Sequence, residues 1–329
     1  MRISILGAGA WGTALACALA GRREVMLWAR SPEHVRQLCR QRVNERYLPG
    51  IRLPESIVVT GELEQAVRFA AGGLVALATP TAGLRPTLQA LRAATDLPTV
   101  VWLCKGFERE SGMLPHQIVA DELPGHQAGA LSGPSFADEV ARGLPTALTV
   151  AGSADLCVQV TRALHGDSLR IYSTQDVVGV EVGGAVKNVM AIGTGIADAL
   201  GLGNNARAAL ITRGLAEATR LGVALGGRAG TFTGLTGLGD LILTCTGEQS
   251  RNRRVGLALG RGVELQHALA ELGHVAEGVW SAPATAARAR ETGVDMPITE
   301  AVCAVLDGRL SPSAALGQLL AREPRNEGA

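Results

Sequence analysis

Short apolar runs alternate with helical patterns through the first half of the chain. Strands are predicted at Ile3–Leu6, Val25–Trp28, Ile57–Thr60, Leu74–Ala78, Thr99–Leu103, Gly129–Ser132, Ala147–Val150 and Leu169–Tyr172. Helix-length segments separate most of them, which is the pattern of a largely parallel sheet wrapped by helices. The later strands have shorter links and are candidates for antiparallel pairing. Ser31-Pro32-Glu33 marks a helix start: a capping hydroxyl, a proline in the first turn and an early acid. Beyond about Gln175 the strand-like runs stop. Alanine- and leucine-rich segments of 3.6-residue period take over at 176–200, 205–222, 236–246, 251–260, 264–272, 279–292, 298–307 and 312–321. The expectation is an α/β chain with a doubly wound sheet over residues 1–174, followed by an all-helical domain over 175–329.

Composition narrows the classes. The 329 residues are 47% hydrophobic and 19% charged, with a net charge of +1. That supports two domains with sizeable cores and excludes disorder as the dominant state. Balanced charge and an aromatic content of only 3% argue against a nucleic-acid partner. The six cysteines form no C-x-x-C, and the six histidines show no ligand spacing. A reduced chain without structural zinc is expected, and no metal. Met1 to Ala20 has the look of a secretory leader, but Gly7, Gly9 and Gly12 break it at a spacing with its own meaning. No run reads as long and apolar enough to span a bilayer. The expected location is the cytoplasm, and the polar tail Glu323–Ala329 is expected to fray.

Candidate chemistry starts at the amino terminus. Ile3-Ser4-Ile5-Leu6 leads into Gly7-Ala8-Gly9-Ala10-Trp11-Gly12, and a helix is predicted from Thr13. G-x-G-x-x-G alone is a weak signal; between a buried strand and a helix it is a strong one. Gly7 permits the tight turn, Gly9 lets the backbone approach a pyrophosphate, and Gly12 lets helix and sheet pack closely. The sheet is therefore read as Rossmann-type. An NAD-selective version would carry an acid at the end of the second strand; here Arg30 takes that place. A guanidinium suits a 2′-phosphate, so NADPH is expected to be preferred over NADH. A solvated Arg30 indifferent to both is the plain alternative.

Of 31 basic residues, 29 are arginine; the two lysines are Lys105 and Lys187. Lysine shifts its pKa readily when desolvated, whereas arginine holds its proton. A position that exchanges a proton must therefore use lysine. Lys105 follows the apolar run Val100–Leu103, at the carboxyl end of a strand, where open α/β sheets place ligands. Lys187 lies inside the apolar segment Val182–Met190 and requires a partner or a cleft. Asp240, with Thr244 one turn later on the same helical face, is the partner candidate; a helix cap after Gly239 is compatible with that role. Ser250-Arg251-Asn252 opens a predicted helix with basic residues that oppose its dipole. An anion held there would resolve the conflict, and a solvated basic patch is the alternative.

With these segments placed, the chain resembles the bacterial NAD(P)-dependent glycerol-3-phosphate dehydrogenases over nearly its whole length. The resemblance is carried by Gly7–Ala16, Lys105–Glu108, Ser132–Ala137, Glu181–Asn188, Leu235–Leu241, Ser250–Arg253 and Val275–Gly278. It implies reduction of dihydroxyacetone phosphate to sn-glycerol 3-phosphate, a precursor of phospholipids. It implies Lys187 as the catalytic proton donor and acceptor, with Asp240 as its partner. By matching position, the implied substrate residues are Lys105, Gly133, Ser135, Lys187, Asn188, Asp240, Thr244, Ser250, Arg251 and Asn252. The implied cofactor contacts are Trp11, Arg30, Lys105, Ala137, Arg251, Val275 and Glu277, beside Gly7, Gly9, Ala10 and Gly12 of the turn. Two rivals remain at this point: a β-hydroxyacid dehydrogenase acting on a carboxylate substrate, and an NADPH-sensing module without turnover. A homodimer is plausible from the many apolar helices.

Overall fold

The computed structural model describes residues 1–94, 96–273 and 276–322. The expected cofactor contact Val275 and the tail 323–329 lie outside the described residues. Among the described residues ten strands form: β1 (Arg2–Leu6), β2 (Glu24–Trp28), β3 (Val43–Asn44), β4 (Leu48–Arg52), β5 (Ile57–Thr60), β6 (Leu74–Leu77), β7 (Thr99–Trp102), β8 (Ala128–Ser132), β9 (Thr146–Ala151) and β10 (Leu169–Thr174). Eight of them make one sheet in the order β10-β9-β8-β7-β6-β1-β2-β5. Every neighbouring pair is parallel except β8 and β9. The antiparallel pairing expected of the later strands thus occurs once. β9 and β10 are parallel to each other because the helix Ala154–Leu164 carries the chain back between them.

The sheet is covered on both faces, which is why its central strands are apolar at successive positions. Ile3 and Ile5 pack on one side with Leu15 and Leu19 of the helix Ala10–Leu19. Leu6 packs on the other with Leu84 and Leu88 of the helix Thr81–Leu91. β1 and β6 are neighbours from which the chain winds outward in opposite directions, so a crevice opens at their carboxyl ends. The Gly7–Gly12 turn lies there. Its helix begins at Ala10, three residues before the expected start.

The hairpin β3–β4 is not among the expected strands. Leu48-Pro49-Gly50 reads locally as a turn, and β3 is only two residues long. Tertiary packing overrides that local signal: Leu48, Ile51 and Leu53 join the core that contains Leu15 and Leu19.

After β10 the chain is helical. The 23-residue helix Val177–Ala199 is its axis, and the helices Gly203–Ala224, Asp240–Thr246, Arg251–Gly260 and Glu277–Glu291 pack on it. Asp176 caps this axis, accepting hydrogen bonds from Gly179 N (2.9 Å), Arg228 N (2.9 Å) and Thr231 Oγ1 (2.5 Å). The expectation that no run is long and apolar enough to cross a membrane needs correction here. By length and composition this helix is, with a window of mean hydropathy 1.2. Within the fold, 78% of that window is buried inside the protein, and a helix enclosed on all sides is apolar all round.

Candidate active site

Three elements distant in sequence bring two ammonium groups onto one carboxylate. Lys187 projects from the axial helix, Lys105 from the segment just past β7, and Asp240 from the first turn of Asp240–Thr246. Lys187 Nζ donates to Asp240 Oδ1 at 2.6 Å and to Thr244 Oγ1 at 3.1 Å. Lys105 Nζ donates to the other oxygen, Oδ2, at 2.8 Å. Thr244 in turn donates to the Asp240 carbonyl at 2.6 Å, so its hydroxyl presents a lone pair to Lys187. A single π-helical turn, Leu235–Gly239, precedes Asp240 and sits tightly on the axis: a Cβ at Gly183 would lie 2.7 Å from the Thr236 carbonyl oxygen. That contact explains why glycine occupies this place in an otherwise well-formed helix.

Lys187 is 8% exposed and Asp240 1%. Burial dominates the Lys187 amine and lowers its pKa from 10.5 to about 8; Asp240 opposes the shift and Lys105 adds to it. Burial acting alone would raise the Asp240 carboxyl, but the two ammonium groups outweigh it and hold the acid below its usual range. The result is a fixed carboxylate beside an amine that changes charge near neutral pH. Glu277, close by, is pushed up by burial, against the pull of Arg251, Lys105 and Lys187.

The other expected residues fall into three groups. Asn188, Asn252 and the start of the helix Glu277–Glu291 are stitched together: Asn252 Nδ2 donates to Asn188 Oδ1 and Asn252 Oδ1 accepts from Gly278 N, both at 2.9 Å. Asn188 Nδ2 is buried and makes no close hydrogen bond among the described residues, the Glu277 carboxyl being the polar group it faces. A buried amide donor that is only loosely engaged, next to Lys187, suits a polar ligand atom. Ser250 caps the helix Arg251–Gly260, its Oγ accepting from Arg253 N at 3.3 Å, so its hydroxyl is engaged in the fold. Arg251 is exposed and has no ion pair among the described residues, whereas Arg253 pairs with Asp198 at 2.7 Å. Trp11 and Ser135 are hydrogen-bonded to each other: Trp11 Nε1 donates to Ser135 Oγ at 3.1 Å and Ser135 O at 3.3 Å. Gly133 (φ +138°) ends β8, and Ala137 opens a short helix that packs on Ala10–Leu19. Arg30 is exposed past β2, also without an ion pair among the described residues.

The glycine turn fits a dinucleotide. Gly7 has φ +124°, and a Cβ there would lie 2.7 Å from the Ala78 carbonyl oxygen. A Cβ on Gly12 would collide with the Gly7 carbonyl and stand 2.9 Å from the Ala78 Cβ. A Cβ on Gly9 would meet nothing within 4 Å. Protein packing thus demands glycine at 7 and 12 but not at 9, where the open space faces a helix N-terminus suited to an anion.

Glu181 has a place in the arrangement that sequence reasoning did not assign. Its buried carboxylate accepts from Trp102 Nε1 (2.9 Å), His116 N (2.8 Å) and the His116 ring (2.5 Å), tying the axial helix to the end of β7 just ahead of Lys105. The available signal was a lone acid between Val180 and Val182.

A doubly wound sheet with a glycine turn past the carboxyl end of β1, and a buried lysine–carboxylate cluster that includes Lys105 past the carboxyl end of β7, defines a nicotinamide-dinucleotide oxidoreductase. Residues 2–157 match the family model for the NAD-dependent glycerol-3-phosphate dehydrogenase N-terminus, and residues 176–317 match that for its C-terminus. The chain belongs to the NAD-dependent glycerol-3-phosphate dehydrogenase family. It is 58% identical over 333 residues to the glycerol-3-phosphate dehydrogenase [NAD(P)+] of a Janthinobacterium species, covering 99% of each chain. The structure of the Coxiella burnetii glycerol-3-phosphate dehydrogenase superposes with a TM-score of 0.93 at 41% identity, over 98% of this chain and 99% of that one. The corresponding enzyme of Saccharomyces cerevisiae gives 0.81 at 27% identity, over 97% and 99%. These relatives favour neither the carboxylate-substrate reading nor the sensor reading.

Proposed function

We propose that the chain reduces dihydroxyacetone phosphate to sn-glycerol 3-phosphate, reversibly, with NADPH preferred over NADH and Lys187 as the group that moves the proton. The observation that carries this is the buried Lys187 amine, 2.6 Å from Asp240, with a pKa lowered to about 8. In the reducing direction the Lys187 ammonium donates a hydrogen bond to the ketone oxygen and gives up its proton as that oxygen gains charge. In the oxidising direction the neutral amine takes the alcohol proton. Asp240 aims the amine, and Lys105, on the other carboxylate oxygen, keeps Asp240 ionised and in place. Arg251, Asn252 and the helix N-terminus behind Ser250 hold the phosphate; Gly133, Ser135, Asn188 and Thr244 complete the substrate site. That remote binding energy orients the ketone, so a substrate lacking the phosphate loses rate as well as affinity.

A bound dihydronicotinamide supplies the hydride. In this reading Gly7, Gly9, Ala10, Trp11 and Gly12 hold its pyrophosphate side and Arg30 its 2′-phosphate. Lys105, Ala137, Arg251, Val275 and Glu277 complete the cofactor site. Residues 1–174 are then the dinucleotide-binding domain and 175–329 the substrate and catalytic domain, with Lys105, Gly133 and Ser135 reaching the substrate from the first and Arg251, Val275 and Glu277 reaching the cofactor from the second. The six cysteines are free, which supports a reducing cytoplasmic setting. There the product would feed glycerophospholipid synthesis; a homodimer is part of the same proposal.

One assay tests the reaction: NADPH absorbance is consumed with dihydroxyacetone phosphate and not with a 3-keto acid, the oxidised form of a β-hydroxy acid. Consumption with the keto acid alone would overturn it. For the cofactor, Arg30→Asp should lower the NADPH-to-NADH ratio of kcat/KM by roughly tenfold or more; an unchanged ratio removes Arg30 from the site.

A further inference from the structure

Asn44, at the end of β3, is 1% exposed and fully hydrogen-bonded. Its Nδ2 donates to the Ala8 carbonyl at 3.0 Å and to Thr13 Oγ1 at 2.7 Å. Its Oδ1 lies 3.1 Å from His34 Nε2. The amide orientation follows from these partners: the Ala8 carbonyl can only accept, so Nδ2 faces it and His34 Nε2 is the ring donor to Oδ1. One side chain, from a hairpin inserted between the helix Pro32–Gln41 and β5, thus grips both the glycine turn and the first turn of its helix. The hairpin is anchored by Leu48, Ile51 and Leu53 in the core, and the His34 ring is backed by Tyr47 at 5.4 Å between centroids.

A trans peptide is planar, with its carbonyl and its N–H pointing to opposite sides. Holding the Ala8 carbonyl on Asn44 therefore turns the Gly9 N–H away from the hairpin. That N–H has no acceptor among the described residues, and the space beside Gly9 is open. We infer that Asn44 is a positioning residue for cofactor binding, aiming the Gly9 N–H at the pyrophosphate through the Ala8–Gly9 peptide plane. This rests on the reading that the Gly7–Gly12 turn holds that pyrophosphate. Preorganised donors contribute affinity because no reorganisation is needed at the moment of binding.

The test is a set of variants read by KM for both substrates, kcat, and NADPH Kd from fluorescence titration. Asn44→Asp keeps the shape but puts an oxygen against the Ala8 carbonyl; it should raise NADPH KM and Kd by roughly tenfold or more. Asn44→Ala removes the grip without repulsion and should raise them about threefold to fivefold. In both, kcat at saturating NADPH and the KM for dihydroxyacetone phosphate stay within about twofold of wild type. A merely structural role would lower kcat through loss of folded enzyme at constant NADPH KM, and that pattern overturns the inference. Should both variants fail to fold, His34→Ala decides: an NADPH KM raised about threefold supports the positioning role and an unchanged one rejects it. Gly9→Val separates the underlying reading. If it binds NADPH normally, the reading of the turn fails and the inference with it. If it loses NADPH while Asn44→Asp keeps a normal KM, only the role of Asn44 falls.

Discussion

The two halves of the molecule build their parts of the site from opposite materials. The sheet half offers backbone: a turn whose glycines at 7 and 12 are demanded by packing and whose glycine at 9 faces open space. The helical half offers charge: Lys187 and Asp240, each buried beyond nine-tenths on helices, joined by Lys105 from the carboxyl end of the interior strand β7. A backbone site keeps its geometry cheaply, because its N–H groups are neutral and fixed by the fold. A buried charge cluster has a desolvation cost and persists only while each member has its partner. Cofactor binding at the glycine turn and proton transfer at Lys187 should therefore fail separately.

The largest separation is expected in Lys187→Met. Its kcat should fall by roughly 10³-fold or more, the scale of a lost general acid in a dry site, while NADPH Kd stays near wild type. Near-normal turnover by the folded variant would remove Lys187 from the chemistry; an equal loss of NADPH affinity would erase the division of labour. Within the turn, Gly12→Ala should destabilise the fold by about 1–3 kcal/mol in denaturant unfolding, the range for overpacking. Gly9→Ala should leave stability unchanged within about 0.5 kcal/mol and raise the NADPH KM. Equal destabilisation by both would show that Gly9 also serves packing.

A further effect, on stability alone, concerns a buried acid that the chemistry does not use. Glu217 on the helix Gly203–Ala224 accepts from Ile298 N (2.7 Å), Thr299 N (3.1 Å) and Thr299 Oγ1 (3.0 Å), capping the helix Pro297–Leu306. Burial raises its pKa from 4.5 to about 7. A carboxyl raised in the folded state contributes stability that is fully present below its unfolded pKa and is lost as pH climbs through the folded one. Unfolding free energy should therefore decline between about pH 4.5 and 7, with a slope from this group of about 1 kcal/mol per pH unit. Glu217→Gln should flatten that decline; an unaltered slope would reassign it to other groups.

The same contrast governs what could be read before the fold was known. The glycine turn is local: its spacing, the strand before it and the helix after it lie within a few residues, so pattern suffices. The eight strands of the main sheet were legible because the central ones are apolar at successive positions, while β10 at the edge alternates buried and exposed residues. β3–β4 was not, because Pro49 and Gly50 signal a turn and only packing against Leu15 and Leu19 makes a hairpin of the segment. The rarity of lysine singled out Lys105 in the sheet half and Lys187 in the helical half, and the proximity of Lys187 to Asp240 could be expected. That Lys105 shares the same carboxylate could not: the two residues are 135 positions apart, and no local period encodes the contact. The Glu181–His116–Trp102 tie and the grip of Asn44 on Ala8 are long-range for the same reason.

One titration tests the role of Lys187 directly. Steady-state kcat/KM in both directions, from about pH 6 to about pH 10, reports whether a single group near 8 carries the proton. With Lys187 in that role, ketone reduction is full below about pH 8 and falls tenfold per unit above it, while alcohol oxidation shows the mirror image. Profiles that are flat in both directions, or a reduction that strengthens as pH rises through 8, would contradict it.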